Sequence, residues 1–412
     1  MNQILIDVMG LFKRKEIITN SKDGDLIPLA GKRVINSSNP SGVVAPDKVS
    51  LITAKDFVEN YILPKVELPT NIVTGNGTAN KLAKFTGAQT IGDGLIDDNG
   101  TSVNNTGAGG ITTNTAFGLD ALISNTTGIL STAIGKGAME NANANYSTAI
   151  GTDALTVSTG NANVAVGGAS LRLNTTGVVN VAMGNNSMEN NTTGSYNTAL
   201  GAVALFNNLT GSNNTAIGSD SLRSNTTGSN NVASGRISLF SNTTGSRNTA
   251  TGYESLFSNT TGGYNTANGM VSLYSNTTGS RNTANGYASL RSNTTGSANT
   301  ASGHLSLYSN DDGEENTAIG YQALYSNVNG YYNVAVGYDS LYSNLDGEYN
   351  TAIGYNALYY NTEGADNTAI GARCLIENTV GVNNTAIGAD SLTSNTTGDN
   401  NTSIGYNSLY SN

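Results

Sequence analysis

The densest set of reactive side chains in this chain is D-D-G-E-E, with Asp311, Asp312, Glu314 and Glu315 around Gly313. Paired carboxylates can serve a glycosidase, one as acid and the other as base or nucleophile. Several together can hold calcium. The segment stands where neighbouring stretches read T-T-G-S, a turn composition, and a carboxylate on a turn tip is ordinarily solvated. Other chemistry is sparse. His304 is the one histidine and Cys374 the one cysteine among 412 residues. No Ser-His-Asp, Cys-His or zinc-ligand set can be assembled from them, and no intrachain disulfide. His304 occupies a position that elsewhere often holds Tyr, and reads as a surface residue. Cys374 occupies a position of small residues, and reads as packing. We expect no enzyme, no cofactor and no metal, the D-D-G-E-E carboxylates being the sole calcium candidate.

Tyrosines are the more numerous candidates. Tyr253, Tyr287, Tyr321, Tyr338 and Tyr355 each follow a Gly, and Tyr274, Tyr308, Tyr325, Tyr342 and Tyr359 each follow a Leu. Exposed aromatic rows can stack against sugar rings, which makes these candidate glycan contacts. The alternative is that the rings stack on each other and cover the structure beneath.

A period positions these columns. The Gly that closes each NTAIG-like word recurs 18 times from Gly118 to Gly405, every 17 residues except for two 16-residue steps between Gly135 and Gly167. The consensus is N-T-A-I-G-Y-x-S-L-Y-S-N-T-T-G-S-x. Two before the Gly stands Ala, except Ser403; four after it stands Leu or Met; the residue before that Leu is Ala, Ser or Cys374. Such periodicity predicts an all-β repetitive β-solenoid or β-roll shaft, since a coil can bury its apolar side only against its neighbours. N-T-A-I-G suits a short strand, N-T-T-G a turn, and S-L-Y-S a second short strand. The Asn four before the Gly is expected to form an amide ladder, and the Leu column a core spine. At a strand spacing of about 4.8 Å, 18 coils make a rod on the order of 85 Å.

The residue before the Gly is mostly apolar, as at Ile217 and Ile319. Between them it turns polar for five copies: Ser234, Thr251, Asn268, Asn285 and Ser302. In a strand this position points away from the Ala two places off. With Ala and Leu inside, it forms an outer stripe, and exposed apolar stripes mark interfaces. These residues are the candidate subunit contact of a homo-oligomer. The opposite assignment, with Ile inside and Ala at a chain–chain contact, stays open at this level.

Composition narrows the partners. The formal charge is −10, and residues 104–412 hold 8 Lys/Arg against 18 Asp/Glu. An acidic body with Lys136 as its one lysine is a poor match for nucleic acid or an anionic membrane. No apolar run is long enough to span a bilayer. The start, MNQILIDVMGLFKRKE, places its basic cluster after the apolar run, the reverse of a secretory signal. The N-T-T triplets are therefore read as turns rather than glycosylation sites.

Three segments follow: a non-repetitive mixed segment, 1–76; a lead-in linker, 77–110; and the array, 111–412. Within the first, Thr53-Ala-Lys-Asp56 resembles a capping box before a short helix over 54–63, with Phe57 and Tyr61 on one face and Pro64 ending it.

The NTAIG words resemble the N-S-V-A-I-G words of trimeric autotransporter adhesin heads. They are more similar still to the NTAIG-x-x-AL-x-SNTTG arrays in tail and head fibres of phages of Bacteroidetes. GTANKLAKFTGAQTIGDGLIDDNGTSV, residues 77–103, resembles the lead-in of such fibres. The resemblance implies a homotrimeric virion fibre, made in the host cytoplasm. It would dock on other virion proteins through the N-terminal segment and project toward a host-surface glycan or receptor. A bacterial surface adhesin is the alternative, and an export signal or anchor would favour it. An ice-binding solenoid would need a flat Thr face, and a polysaccharide depolymerase would need carboxylates in a groove.

Overall fold

The structure is a computed structural model. It describes seven short strands between residues 26 and 105, residue 111, and residues 113–410. The chain divides into two units, Met1–Gly100 and Thr101–Asn412. In the first, β1 (Leu26–Ile27) pairs antiparallel with β4 (Ile52–Thr53), β2 (Val34–Asn36) with β3 (Asn39–Val44), and β5 (Lys81–Thr86) with β6 (Thr90–Asp98). The expected helix over 54–63 lies outside the described residues. The second unit opens with β7 (Val103–Asn105) and continues as a β-solenoid.

The solenoid's eighteen three-residue strands run from β8 (Thr115–Phe117) to β25 (Thr402–Ile404). Each pairs in parallel with the next, Thr or Val on Thr or Val and Ala on Ala, ending with Ala386 on Ser403. The coil that begins at Thr215 shows why. Thr215 is half-buried, Ala216 buried and Ile217 exposed. Ala216, Ser221, Leu222, Asn225 and Asn231 are all fully buried. The interior is thus an Ala column facing a Leu column, with Ser and Asn at the corners. Ala lies inside and the Ile column outside, which settles the open assignment.

One expectation fails. S-L-Y-S forms no strand; among the described residues each coil has one strand, and the Ser-Leu segment is a run of turns. The reason is burial. Ser221 and Leu222 are adjacent and both face the core, whereas neighbours in a strand point to opposite faces. The backbone meets this by turning left-handed at Asp220 and Leu222, with φ of 56° and 50°. Left-handed backbone costs a non-glycine residue about 1–2 kcal/mol, which burying a Leu offsets at roughly 1.5–3 kcal/mol.

Hydrogen bonds to both neighbours hold the irregular backbone. Toward the next coil, Thr215, Leu222, Ser224 and Thr226 donate their N–H to the carbonyls of Asn231, Ser238, Phe240 and Thr243 at 2.8–3.1 Å. Toward the preceding coil, Gly218, Asp220 and Asn230 donate to Leu200, Ala202 and Ser212 at 2.8–3.0 Å. A buried backbone needs this complete pairing. Gly218 is fixed twice over: its φ is +123°, and a Cβ there would stand 2.7 Å from the Gly235 carbonyl.

Two asparagine columns complete the corners. The continuous amide ladder belongs to the Asn of S-N-T-T-G, not to the Asn of N-T-A-I-G. Asn225 Nδ2 donates to Asn208 Oδ1 at 2.7 Å and to its own turn's Gly228 carbonyl at 2.9 Å. This side-chain chain is unbroken from Asn174 to Asn395. The other column works mainly through backbone. Asn214 Oδ1 accepts the Asn231 N–H at 2.9 Å, and Asn231 Nδ2 donates to the Gly245 carbonyl at 2.9 Å. In the two 16-residue coils the missing residue falls in this turn. Ala142 and Ser158 replace the ladder Asn, and Asn143 Oδ1 accepts the N–H groups of Thr126 and Thr127.

Candidate functional site

The residues that could meet a partner stand in outward columns. Those before the Gly lie on the strand's outer side. Phe117, Ile134, Ile217, Ile319 and Ile353 are about 40% exposed. Between them Thr251 and Asn268 are exposed and Ser234, Asn285 and Ser302 half-buried, with Asn268 Nδ2 donating to Asn285 Oδ1 at 3.0 Å. All the subunit-contact candidates therefore line up on one outer face, apolar at both ends and polar in the middle.

The tyrosines form two rows. In the first, after the Gly, Tyr287, His304, Tyr321, Tyr338 and Tyr355 stack face to face at 4.8–5.7 Å between ring centres. His304 is exposed, clamped between two Tyr rings. In the second row, after the Leu, Arg223 lies over Phe240, and Phe240, Phe257 and Tyr274 stack. The Arg291 guanidinium then sits 5.3 Å from the Tyr274 ring and 5.8 Å from Tyr308. Tyr308, Tyr325, Tyr342 and Tyr359 continue at 5.0–5.1 Å. Tyr253 stands apart from the first stack, with Arg236 5.9 Å from its ring centre.

This geometry decides what the rows present. Each inner ring has both faces covered by its neighbours, which leaves its edge. Stacked rings steady the coils, at about 0.5–1.5 kcal/mol per pair. A sugar has no free ring face to lie on within a row.

Two residues after each Gly runs a column of mixed type, apolar at Val203, Ile237, Val271 and Leu305 and polar at Gln322, Asp339 and Asn356, whose φ values are 49°, 48° and 51°. Asp339 Oδ1 and Asn356 Oδ1, on adjacent coils, are the two buried side-chain oxygens without a hydrogen-bond partner among the described residues. Burial pushes the Asp339 carboxyl above the usual range. Burial, together with the charge of Asp339, also raises the Tyr359 hydroxyl.

Asp311, Asp312, Glu314 and Glu315 are all exposed. Asp311 accepts a hydrogen bond from Thr294 of the preceding coil. Among the described residues no group of three or more His, Cys, Asp or Glu is placed to hold a metal ion. Cys374 is fully buried, its thiol donates to the Ala386 carbonyl at 3.0 Å, and burial pushes it up to about 11. That keeps the thiol protonated and inert. No described helix is long and apolar enough to cross a membrane.

Sequence reasoning missed the column two after the Gly and the ion pair within it, Arg373 and Asp390. The signal was faint, because this position varies from coil to coil. Comparison with known protein families, curated proteins and solved structures returns no match.

Proposed function

We propose that this chain is a structural fibre of a bacteriophage virion, a homotrimeric β-solenoid shaft projecting from the particle to engage the host surface. The observation that carries this is the outer face of the strand ladder. A solenoid that already satisfies its own backbone and core still displays exposed Phe, Ile and Met side chains in two stretches of one column, at Phe117, Ile134, Met183 and Ile217 and again at Ile319 and Ile353, with five polar coils between them. Solvent does not favour such a row, and a second copy of the same row covers it. Three copies are the state implied by the fibres that these repeats resemble. Its rigidity suits a spacer, and many weak contacts along many fibres give firm attachment without a tight single site. The N-terminal unit is assigned to docking on other virion proteins.

Light scattering on the purified chain tests this. A mass of three times the 42.3 kDa of one chain is expected, and the paired substitutions Ile217→Lys and Ile319→Lys should dissociate it while leaving the β-signal in circular dichroism unchanged. A stable monomer overturns the trimeric shaft.

A further inference from the structure

Both aromatic rows stop over the same two coils. The first row reaches Tyr355 and then reads Ala372 and Ala389 before Tyr406; the second reaches Tyr359 and then reads Ile376 and Thr393 before Tyr410. There the column two after the Gly holds an ion pair between adjacent coils. Arg373 Nε donates to Asp390 Oδ1 and Nη2 to Oδ2, both at 2.7 Å. This bidentate pair holds the guanidinium flat. A cleft of about 640 Å³ opens at this point, its walls including Arg373, Ile376, Glu377, Asp390, Asn407 and Tyr410.

We propose that this cleft binds a neutral sugar residue of a surface glycan, and that it is the recognition site of the fibre. The inference rests on the adhesive reading above. Its volume falls within the usual range for small-ligand sites. The gap from Tyr359 to Tyr410 spans three coil steps, roughly 14 Å, room for one or two sugar rings. The walls have the mixed character that a sugar needs. Ile376 and Tyr410 offer apolar surface, and the residue before Tyr410 in its row is Thr393, so the preceding coil sets no ring against it. The Arg373–Asp390 plate, the Glu377 carboxylate and the Asn407 amide offer donors and acceptors for hydroxyls. Charge selects among sugars. Asp390 neutralises Arg373, while Glu377 has no ion-pair partner among the described residues. The cleft is therefore net negative and repels uronate, sialate and phosphate groups. Within the two stacks the rings cover one another's faces, and over this cleft Ala372, Ala389, Ile376 and Thr393 interrupt that cover.

An array of neutral hexose and N-acetylhexosamine oligosaccharides, with uronate- and sialate-containing ones beside them, tests the proposal on the full chain. Ile376→Tyr continues the second row and fills the cleft. It should cut binding to the neutral glycans at least tenfold. Glu377→Ala, an exposed change that leaves the core alone, should cut it severalfold, and Phe257→Leu, inside the distant stack, should leave it intact. Equal binding by wild type, Ile376→Tyr and Glu377→Ala overturns the cleft as the site but leaves glycan adhesion standing. Binding to charged glycans alone overturns the selection for neutral sugars. Binding to none of the array overturns the cleft and removes glycans from the adhesive reading, while the trimer mass still judges the shaft.

Discussion

The inward and outward columns of this solenoid obey different rules. Inside, Ala216 repeats as Ala233, Ala250 and Ala267, each fully buried. Outside, the residue one place along goes from Ile217 to Ser234, Thr251 and Asn268, and the strand register does not move. The interior alone therefore specifies the coil, through volume, left-handed turns and amide pairing. The exterior is free to change side chain by side chain, so binding properties can vary there without loss of fold.

Substitutions should separate the two regimes. Gly252→Ala should have the largest effect. The φ of +127° disfavours any side chain, and the new Cβ would stand 2.7 Å from the Gly269 carbonyl. A cost of about 4 kcal/mol is expected in denaturant unfolding, from backbone strain and overpacking together. Gly168→Ala sharpens the test. Its φ lies outside the left-handed range and its Cβ would meet only the Asn185 side chain closely, at 3.2 Å, so it should lose less than half as much.

Asn259→Leu comes next. Asn259 Nδ2 donates to Asn242 Oδ1 and the Gly262 carbonyl, and its Oδ1 accepts from Asn276. Removing it strands buried partners on both sides, a loss of about 3 kcal/mol. Hydrogen exchange should show the opening centred on the two neighbouring turns, because each coil contacts only its neighbours.

The smallest effect has the opposite sign. Asp339 is an acid whose folded pKa is raised by burial. Its charge therefore costs stability above that folded value, and the cost is relieved as pH falls through it toward the ordinary carboxyl value of about 3.9. Asp339→Asn should raise stability at pH 7 by about 1 kcal/mol or less. The gain should vanish in acid, as thermal melts at both pH values would show. A loss at pH 7 would mean that the unpartnered oxygen is satisfied some other way.

Much of the interior was legible in the sequence because stacking forces each column to a single residue type. The period and the Leu spine follow from spacing alone; spacing also sets Ala and Ile on opposite faces, but only the burial of Ala216 beside an exposed Ile217 shows which of them is inside. The second strand misled, although a clue was present: Ser221 and Leu222 are neighbours drawn from two columns of restricted type, and no period-two strand can bury both. The choice of ladder Asn was ambiguous because both columns are buried; only the turn geometry puts Asn225 against Asn208. The cleft was harder to read. It arises where Ala372, Ala389, Ile376 and Thr393 interrupt the rows, an absence of aromatics rather than a motif.

The coil-to-coil bonding has a genetic corollary. From Asn174 to Asn395 each coil offers nearly the same donors, acceptors and glycine notch to the coil that follows. Removing residues 249–265, one whole repeat, would set Asn248 before Thr266 and let the same contacts close across the seam. Near-identical repeats invite unequal recombination, and each such event adds or deletes a coil in frame. The length of the solenoid can thus be inherited, extended or trimmed in units of one coil, with no new folding problem to solve.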